Sequence, residues 1–109
     1  MTFATYNFRK EKLTSAIEHL AAEFISRDGP KSPLITVTRS ELSDSGRHIT
    51  IFISVLPESE EKFVLDFLAK NKKYFSEYSS EHGNIARMPS FDFEIDKGEK
   101  NRRIIEDII

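Results

Sequence analysis

Two β-branched segments that alternate in polarity lie near the middle of the chain, and they constrain the fold more than any other feature. The segment LITVT covers residues 34–38, and ITIFISVL covers residues 49–56. Alternation of this kind predicts strands with one buried face. Between the two segments, residues 43–46 read Ser-Asp-Ser-Gly, and these residue types tolerate positive φ or cap a turn with their own side chains. An antiparallel hairpin is therefore the simplest interpretation.

Apolar residues with helical spacing flank this hairpin on both sides. Upstream, residues 9–27 place apolar side chains every three or four positions, and Asn7 is the predicted N-cap. Downstream, the acidic run after Pro57 predicts the start of a second helix, because carboxylates are favourable at a helix N-terminus. Asn71 interrupts the apolar stripe of this helix, and residues 83–84 are expected to end it. The pattern leaves open whether the helix bends at Asn71.

The C-terminal part of the chain predicts a third strand and a last helix. Residues 91–96 read FDFEID, which predicts a strand with one apolar face and one acidic, solvated face. Residues 101–109 place four isoleucines on one side of a short helix. The order α-β-β-α-(α)-β-α indicates an α+β fold, with helices packed on one face of a three-stranded mixed sheet. Residues 1–109 form a single domain, and residues 1–8 precede the predicted first helix as an extension that is either ordered or disordered.

The composition limits which functions the chain can have. It has 16 basic and 18 acidic side chains, a formal net charge of -2, so a polyanion would have to be held by a local basic patch. The absence of cysteine excludes disulfides, thiolate metal sites and cysteine nucleophiles. No secretion signal is recognisable, and the longest apolar stretch is far shorter than the roughly 20 residues that span a bilayer. We therefore expect a cytoplasmic protein without a membrane partner.

No catalytic constellation is recognisable in the sequence. His19, His48 and His82 are far apart along the chain, and no nucleophile elbow, phosphate loop or metal-ligand spacing is present. The alternating carboxylates of residues 91–96 could ligate a divalent cation, but the solvated face of an edge strand is the simpler interpretation. The prediction is a protein without enzymatic activity, cofactor or small-molecule substrate.

Several segments together resemble the ribosome-binding factor A family. The densest match is LITVTRSELSDSGRHITIFISVLP, which looks like the strand-turn-strand segment of that family. The other matching segments also occur in the family's order. They are the helical segments RKEKLTSAIEHLAAEF and EEKFVLDFLAKNKKYF, the segment from Ile85 to Pro89, the Phe-any-Phe strand and the Arg103-Ile104 pair. The resemblance spans residues 9–109. It implies a type II KH-like domain that binds the small (30S) ribosomal subunit and its 16S rRNA during late maturation, and we expect it to act as a monomer.

The sequence departs from this family pattern where phosphates would be bound. Ordinary KH domains contact phosphates through a Gly-any-any-Gly loop, and no two of the four glycines have that spacing. The family has an Ala-any-Gly kink instead, and counting back from Pro89 without gaps places this kink at Asn71-Lys72-Lys73. The Arg that the family usually has three residues before the proline is replaced by Ala86, and Arg87 follows it.

Nine basic residues are candidate RNA-binding positions. Lysines near the interrupted helix would neutralise phosphates, and cations at the start of the first helix oppose the helix dipole unless an anion compensates them. Arginines further along could bind phosphate in a bidentate fork. The alternative is ordinary solvated surface, with Arg103 covering the terminal isoleucines and Arg102 paired with Glu106. The candidates are Arg9, Lys10, Lys12, Lys70, Lys72, Lys73, Arg87, Arg102 and Arg103.

Aromatic residues are the other candidates for contact with RNA bases. Most of them lie on apolar faces with regular spacing, so we predict that Phe63, Phe67, Phe75, Phe91 and Phe93 belong to the core and do not stack on bases. The sequence does not decide whether Phe3, Tyr6 and Phe8 stack on bases, staple the helix start or are disordered.

Two functional hypotheses follow from these observations. The first is a non-catalytic, rRNA-binding assembly factor that docks on immature small subunits and is released when they mature. The alternative is a small α+β protein-interaction module without an RNA role, which would use its acidic strand or its terminal isoleucine-rich helix. The slightly negative net charge favours the alternative.

Overall fold

The computed structural model describes residues 3–83, 85 and 88–108, and it describes side chains within this range at 10–83, 85, 88–99, 101, 102 and 105. Four α-helices, three strands and one 3-10 turn occur in these residues, in the predicted order. The elements are α1 (Phe3–Asp28), β1 (Leu34–Leu42), β2 (His48–Leu56), a 3-10 turn (Glu58–Glu60), α2 (Glu61–Lys70), α3 (Lys72–Gly83), β3 (Ser90–Ile95) and α4 (Lys97–Ile108).

The three strands form one mixed sheet in the order β1-β2-β3. Strands β1 and β2 pair antiparallel, which confirms the hairpin, and β2 and β3 pair parallel. The turn of the hairpin is closed by a hydrogen bond of 2.9 Å from the Gly46 N–H to the Ser43 carbonyl. Gly46 has a φ of 74°, a left-handed conformation that glycine adopts without steric cost.

Strand β1 is longer than the alternation predicted. It continues from Thr38 to Leu42, and its register shifts at a bulge between Val37 and Arg39. A bulge adds one residue to one strand, so it reverses which side chains face the core beyond that point. The polar residues after Thr38 therefore do not continue the apolar alternation, and this is why the pattern ended the strand too early.

Helices α1, α2 and α3 cover one face of the sheet and supply most of the core. The four inward-facing residues of β2 are completely buried, and the ring of Phe75 in α3 is surrounded by other aromatic rings. Its centroid lies 5.4 Å from that of Phe24 and 5.3 Å from that of Phe91, which are favourable distances for tilted and edge-on pairs. The core residues include Ile17, Leu20, Phe24, Ile49, Ile51, Ile53, Val55, Val64, Leu68, Phe75 and Phe91.

Helix α1 begins earlier than predicted. Its first residue is Phe3, so Asn7 lies inside the helix and is not its N-cap, and residues 3–8 are helical instead of forming an extension. Asparagine inside a helix costs less than about 1 kcal/mol relative to alanine, and no proline interrupts this segment. The end of the helix agrees with the prediction, because Gly29 follows Asp28 and its N–H donates to the Ile25 carbonyl at 2.9 Å.

The second helical region is broken at Asn71, which separates α2 from α3. Asn71 has φ −106° and ψ 15°, and its side-chain Nδ2 donates to the Phe67 carbonyl at 2.8 Å. The triplet at the break is Ala69-Lys70-Asn71, which has the spacing of an Ala-any-Gly kink with Asn in the glycine position. Gapless counting from Pro89 placed the kink at Asn71-Lys72-Lys73, and the break at Asn71 coincides with the first residue of that triplet.

The terminal helix also starts before its predicted position. Helix α4 begins at Lys97 instead of residue 101, and the Ile105 side chain on it is 57% exposed. Within the described part of the chain, none of the helices has the combination of length and apolar character needed to cross a lipid bilayer.

Candidate nucleic-acid interface

Three lysines surround the break between α2 and α3, and we call Lys70, Lys72 and Lys73 the kink cluster. Lys70 ends α2, where a cation is favourable to the helix dipole, and Lys72 and Lys73 begin α3, where a cation is unfavourable. Lys70 and Lys73 are exposed, and Lys72 is half-buried. An anion beside the first turn of α3 would compensate both the lysines and the positive end of the dipole. The cluster is therefore suited to a phosphate group.

Lys72 differs from its two neighbours because it has an acidic partner on β3. Its Nζ lies 2.6 Å from Asp92 Oδ1 and 5.3 Å from the centroid of the Phe91 ring. The other carboxylate oxygen, Asp92 Oδ2, lies 3.3 Å from His48 Nε2, and His48 Nδ1 is 3.0 Å from Ser90 Oγ. We call His48, Lys72, Ser90 and Asp92 the Asp92 network. The hydrogen bond from Lys72 lowers the pKa of Asp92 most, and the charges of Lys72 and His48 lower it further.

The Asp92 network could not be identified from the sequence. His48 appeared as an isolated histidine, and Lys72 and Asp92 are 20 residues apart. The parallel pairing of β2 with β3 places His48 beside Ser90, and the break at Asn71 directs α3 toward the same strand. Only this topology brings the groups together.

The lysines of α1 lie toward the opposite edge of the sheet. Lys10 is half-buried and lines a shallow groove with Thr14, Glu41 and Leu42 at β1, and Lys12 is exposed. Strands β1 and β3 are the two outer strands of the sheet, so the α1 lysines and the kink cluster lie at opposite edges with β2 between them. Among the candidates whose side chains are described, Lys10 and the kink cluster do not form one patch.

The remaining candidates are only partly described. Arg102 on α4 has its Nη2 2.6 Å from Glu99 Oε1, one turn earlier. Arg9 and Arg103 belong to α1 and α4, but their side chains lie outside the described residues, as does that of Glu106. Arg87 lies outside the described residues altogether.

Asp96 does not lie on the solvated acidic face that the alternation predicted. It is only 5% exposed, and its Oδ2 accepts hydrogen bonds from Thr38 Oγ1 at 2.6 Å and Arg39 Nε at 3.3 Å. Its Oδ1 accepts from the Glu99 backbone N–H at 3.1 Å, so Asp96 is the N-cap of α4. The hydrogen bond from Thr38 is the main cause that lowers the pKa of Asp96. The sequence contains a signal for this N-cap, because an Asp followed three residues later by a Glu has capping-box spacing.

The carboxylates of β3 do not form a metal site. Asp92 is paired with Lys72, and Asp96 is turned toward Thr38 and the start of α4. The described residues contain no group of three or more His, Cys, Asp or Glu side chains placed to hold a metal ion.

Two aromatic residues of the second helical region are largely exposed, and one of them, Phe63, was predicted to belong to the core. Phe75 and Phe91 are buried as expected, but Phe63 is 51% exposed and Tyr74 is 62% exposed. Tyr74 follows Lys73 directly in the first turn of α3, so the kink cluster has an accessible aromatic ring beside it.

Comparison with known proteins adds independent information. Residues 9–109 match the family model described as "Ribosome-binding factor A". The chain is 33% identical over 70 residues to the ribosome-binding factor A of Fervidobacterium nodosum, and the alignment covers 63% of this chain and 56% of that protein. The chain therefore spans little more than half the length of this relative.

Two solved structures of the Thermus thermophilus protein have a similar fold. The crystal structure of its ribosome-binding factor A has a TM-score of 0.66 at 21% identity, covering 79% of this chain and 93% of that one. The second is a model of the same factor fitted into a cryo-EM map of a 30S complex, with a TM-score of 0.64 at 19% identity, covering 77% and 91%. The likeness confirms the α+β fold that the element order indicated and the KH-like domain that the family resemblance implied. Because the family model matches nearly the whole sequence, the chain belongs to the ribosome-binding factor A family.

Proposed function

We propose that this protein is a ribosome assembly factor that binds the small (30S) ribosomal subunit and its 16S rRNA during late maturation. The match of residues 9–109 to the ribosome-binding factor A family supports this proposal most strongly. The fitted 30S complex of the Thermus thermophilus relative agrees with it. The protein acts without catalysis or a cofactor, in the cytoplasm and as a monomer.

The kink cluster is the primary contact with rRNA phosphates. Lys70 and Lys73 are exposed, and the first turn of α3 adds the positive end of a helix dipole. Each phosphate contact makes binding more sensitive to salt, by about 0.7 to 0.9 in the slope of log affinity against log salt. The cations of α1 and α4, including Lys10, Lys12 and Arg102, are secondary contacts, because they lie away from the break.

The mechanism is a shift in population. A protein that binds one conformation of the rRNA more tightly than another favours that conformation by the ratio of the two affinities. The protein would stabilise an immature arrangement of the subunit and dissociate when maturation removes the preferred conformation. No step in this cycle requires a reacting group on the protein.

Cosedimentation with purified small subunits over a range of salt concentrations tests the proposal. The variant K70E/K73E reverses the two exposed lysines of the kink cluster, and we expect weaker binding with a shallower salt slope. Lys72 stays unchanged, so the ion pair with Asp92 is preserved. The matched control is K31E/K62E, which also reverses two exposed lysines but at positions away from the break.

The possible outcomes test the ribosomal function and the position of the RNA contact separately. If the wild-type protein does not sediment with small subunits at low salt, the assignment to the ribosome is wrong. If it does, and K70E/K73E binds no more weakly than K31E/K62E, the kink cluster is not the contact. A circular dichroism spectrum of each variant establishes that the fold is unchanged.

The alternative, a protein-interaction module without an RNA role, is favoured by the exposed Ile105 on α4 and by the net charge of -2. The two functions differ in their response to ribonuclease. Affinity purification with and without ribonuclease distinguishes them, because partners bound through rRNA are lost and direct protein partners are retained.

A further inference from the structure

We propose that Asp92 is a built-in competitor for the phosphate that binds Lys72, and that it limits how tightly this protein holds RNA. The inference rests on the proposed function, because it concerns the same lysine cluster. In this arrangement Asp92 is a residue of opposite charge within the lysine site. His48 is a second hydrogen-bond donor toward the bound anion.

The geometry of the Asp92 network is that of an occupied anion site. Three elements contribute to it: Lys72 from α3, His48 from β2 and Asp92 from β3. The Asp92 carboxylate lies between the other two groups, 2.6 Å from Lys72 Nζ and 3.3 Å from His48 Nε2. A phosphate has the same charge sign and the same kind of acceptor oxygens as this carboxylate. It could therefore replace Asp92 opposite both groups.

The site is open enough for this exchange. The side chain of Lys72 is 41% exposed and that of Asp92 is 57% exposed, so a phosphate can approach both from solvent. The exposed lysines Lys70 and Lys73 lie next to Lys72 in the chain and attract the same polyanion. Asp92 thus opposes the anion at the place where the other lysines favour it.

The ion pair is also weak enough to be displaced. Ion pairs between exposed side chains contribute little to stability, so the fold does not depend on this one. Asp92 is attached to a strand, however, and it competes with a phosphate at a fixed local concentration that no dilution reduces. We therefore expect Asp92 to lower the affinity for anions and to have little effect on folding.

The test compares D92N with E94Q in binding to purified small subunits. Both variants remove one negative charge from the exposed face of β3, but of the two carboxylates it is Asp92 that contacts Lys72 and His48 in the described part of the chain. We expect D92N to bind about twofold to fivefold more tightly than E94Q, which corresponds to the worth of an exposed ion pair. Its salt slope should be steeper by up to about 0.7 to 0.9, the value of one additional phosphate contact.

Two results would overturn the competitor role. Equal gains in D92N and E94Q would mean that only the overall charge matters. Weaker binding by D92N would mean that Asp92 positions Lys72 for the contact and does not compete with the phosphate.

A second measurement tests the anion site without the ribosome. Titration with inorganic phosphate, followed by NMR on the His48 ring, should shift its resonances, with saturation at lower phosphate concentration in D92N than in E94Q. If the His48 resonances shift in neither variant, the anion site is refuted, even if the protein binds small subunits. A shift without subunit binding would keep the anion site and refute the ribosomal function.

Discussion

Replacing Thr38 with valine should destabilise the protein by about 2 kcal/mol at neutral pH. The substitution keeps the shape of the side chain but removes the hydroxyl that donates to Asp96 Oδ2 at 2.6 Å. A hydrogen bond to a charged acceptor contributes about 1.5 to 3 kcal/mol. Because Asp96 is only 5% exposed, water cannot replace the lost donor. The Phe52 carbonyl lies 3.2 Å from the same hydroxyl, and the single proton goes to the nearer, charged acceptor.

The destabilisation should depend on pH in a direction set by Asp96. Its pKa in the folded protein is below the ordinary value of 3.8, mainly because of the Thr38 hydrogen bond. A lowered pKa contributes stability that is fully present above the ordinary pKa and is lost as the pH falls through the folded pKa. Valine at position 38 removes the main cause of the lowering. The difference in unfolding free energy between wild type and T38V should therefore be largest at neutral pH and decrease below about pH 4.

Urea unfolding followed by circular dichroism, from neutral pH to about pH 3, measures both effects. The control is T36V, which makes the same change at an exposed position of the same strand and should stay within about 0.5 kcal/mol of wild type. A double-mutant cycle adds T38V to D96A. If T38V costs as much without Asp96 as with it, or if its cost does not change with pH, the assignment of this hydrogen bond is refuted.

Three further substitutions have effects that follow from single contacts. N71A should lower the unfolding free energy by about 1 kcal/mol in urea titrations, because it removes the side-chain bond to the Phe67 carbonyl at the helix break; an unchanged midpoint would contradict this. S79A should raise the melting temperature, because the buried Ser79 hydroxyl has no hydrogen-bond partner in the described structure and its removal is worth about 1 kcal/mol. G83A should destabilise by about 1 to 3 kcal/mol in chemical denaturation, since a Cβ there would lie 2.5 Å from Leu20 Cδ1, and a neutral result would show that Leu20 moves freely.

Periodicity was sufficient to predict the order of elements and most of the core, because both depend on which residues repeat along the chain. Residues 49–56 alternate strictly, and their inward-facing members are all buried in the structure. The bulge after Val37 could not be predicted, because the polar residues that follow have no periodic signal of their own. Asp96 was misassigned for a related reason, since alternation continued the exposed face one residue beyond the end of β3.

The types of candidate residue could be predicted, but their surroundings could not. Lysines near Asn71 were identified from the sequence, and the break at Asn71 now explains their position between two helices. The partner of Lys72 was missed, because a contact over 20 residues depends on how α3 packs beside β3. The sequence also does not show whether the α1 lysines share a face with the kink cluster, whereas the sheet order places them at opposite edges.

This separation indicates the path that an RNA strand can follow on the protein. Neighbouring strands are about 4.8 Å apart, so β1 and β3 are separated by about 10 Å, a distance that one or two nucleotides could span. The face of the sheet opposite α1, α2 and α3, however, presents Glu41 on β1 and Asp92 and Glu94 on β3. Carboxylates repel a phosphate backbone that crosses them, and these three outnumber Arg39, which is held by Glu41 and Asp96. The RNA is therefore expected to stay at the break between α2 and α3 and not to cross this face, because the kink cluster offers a local positive surface on a chain with a net charge of -2.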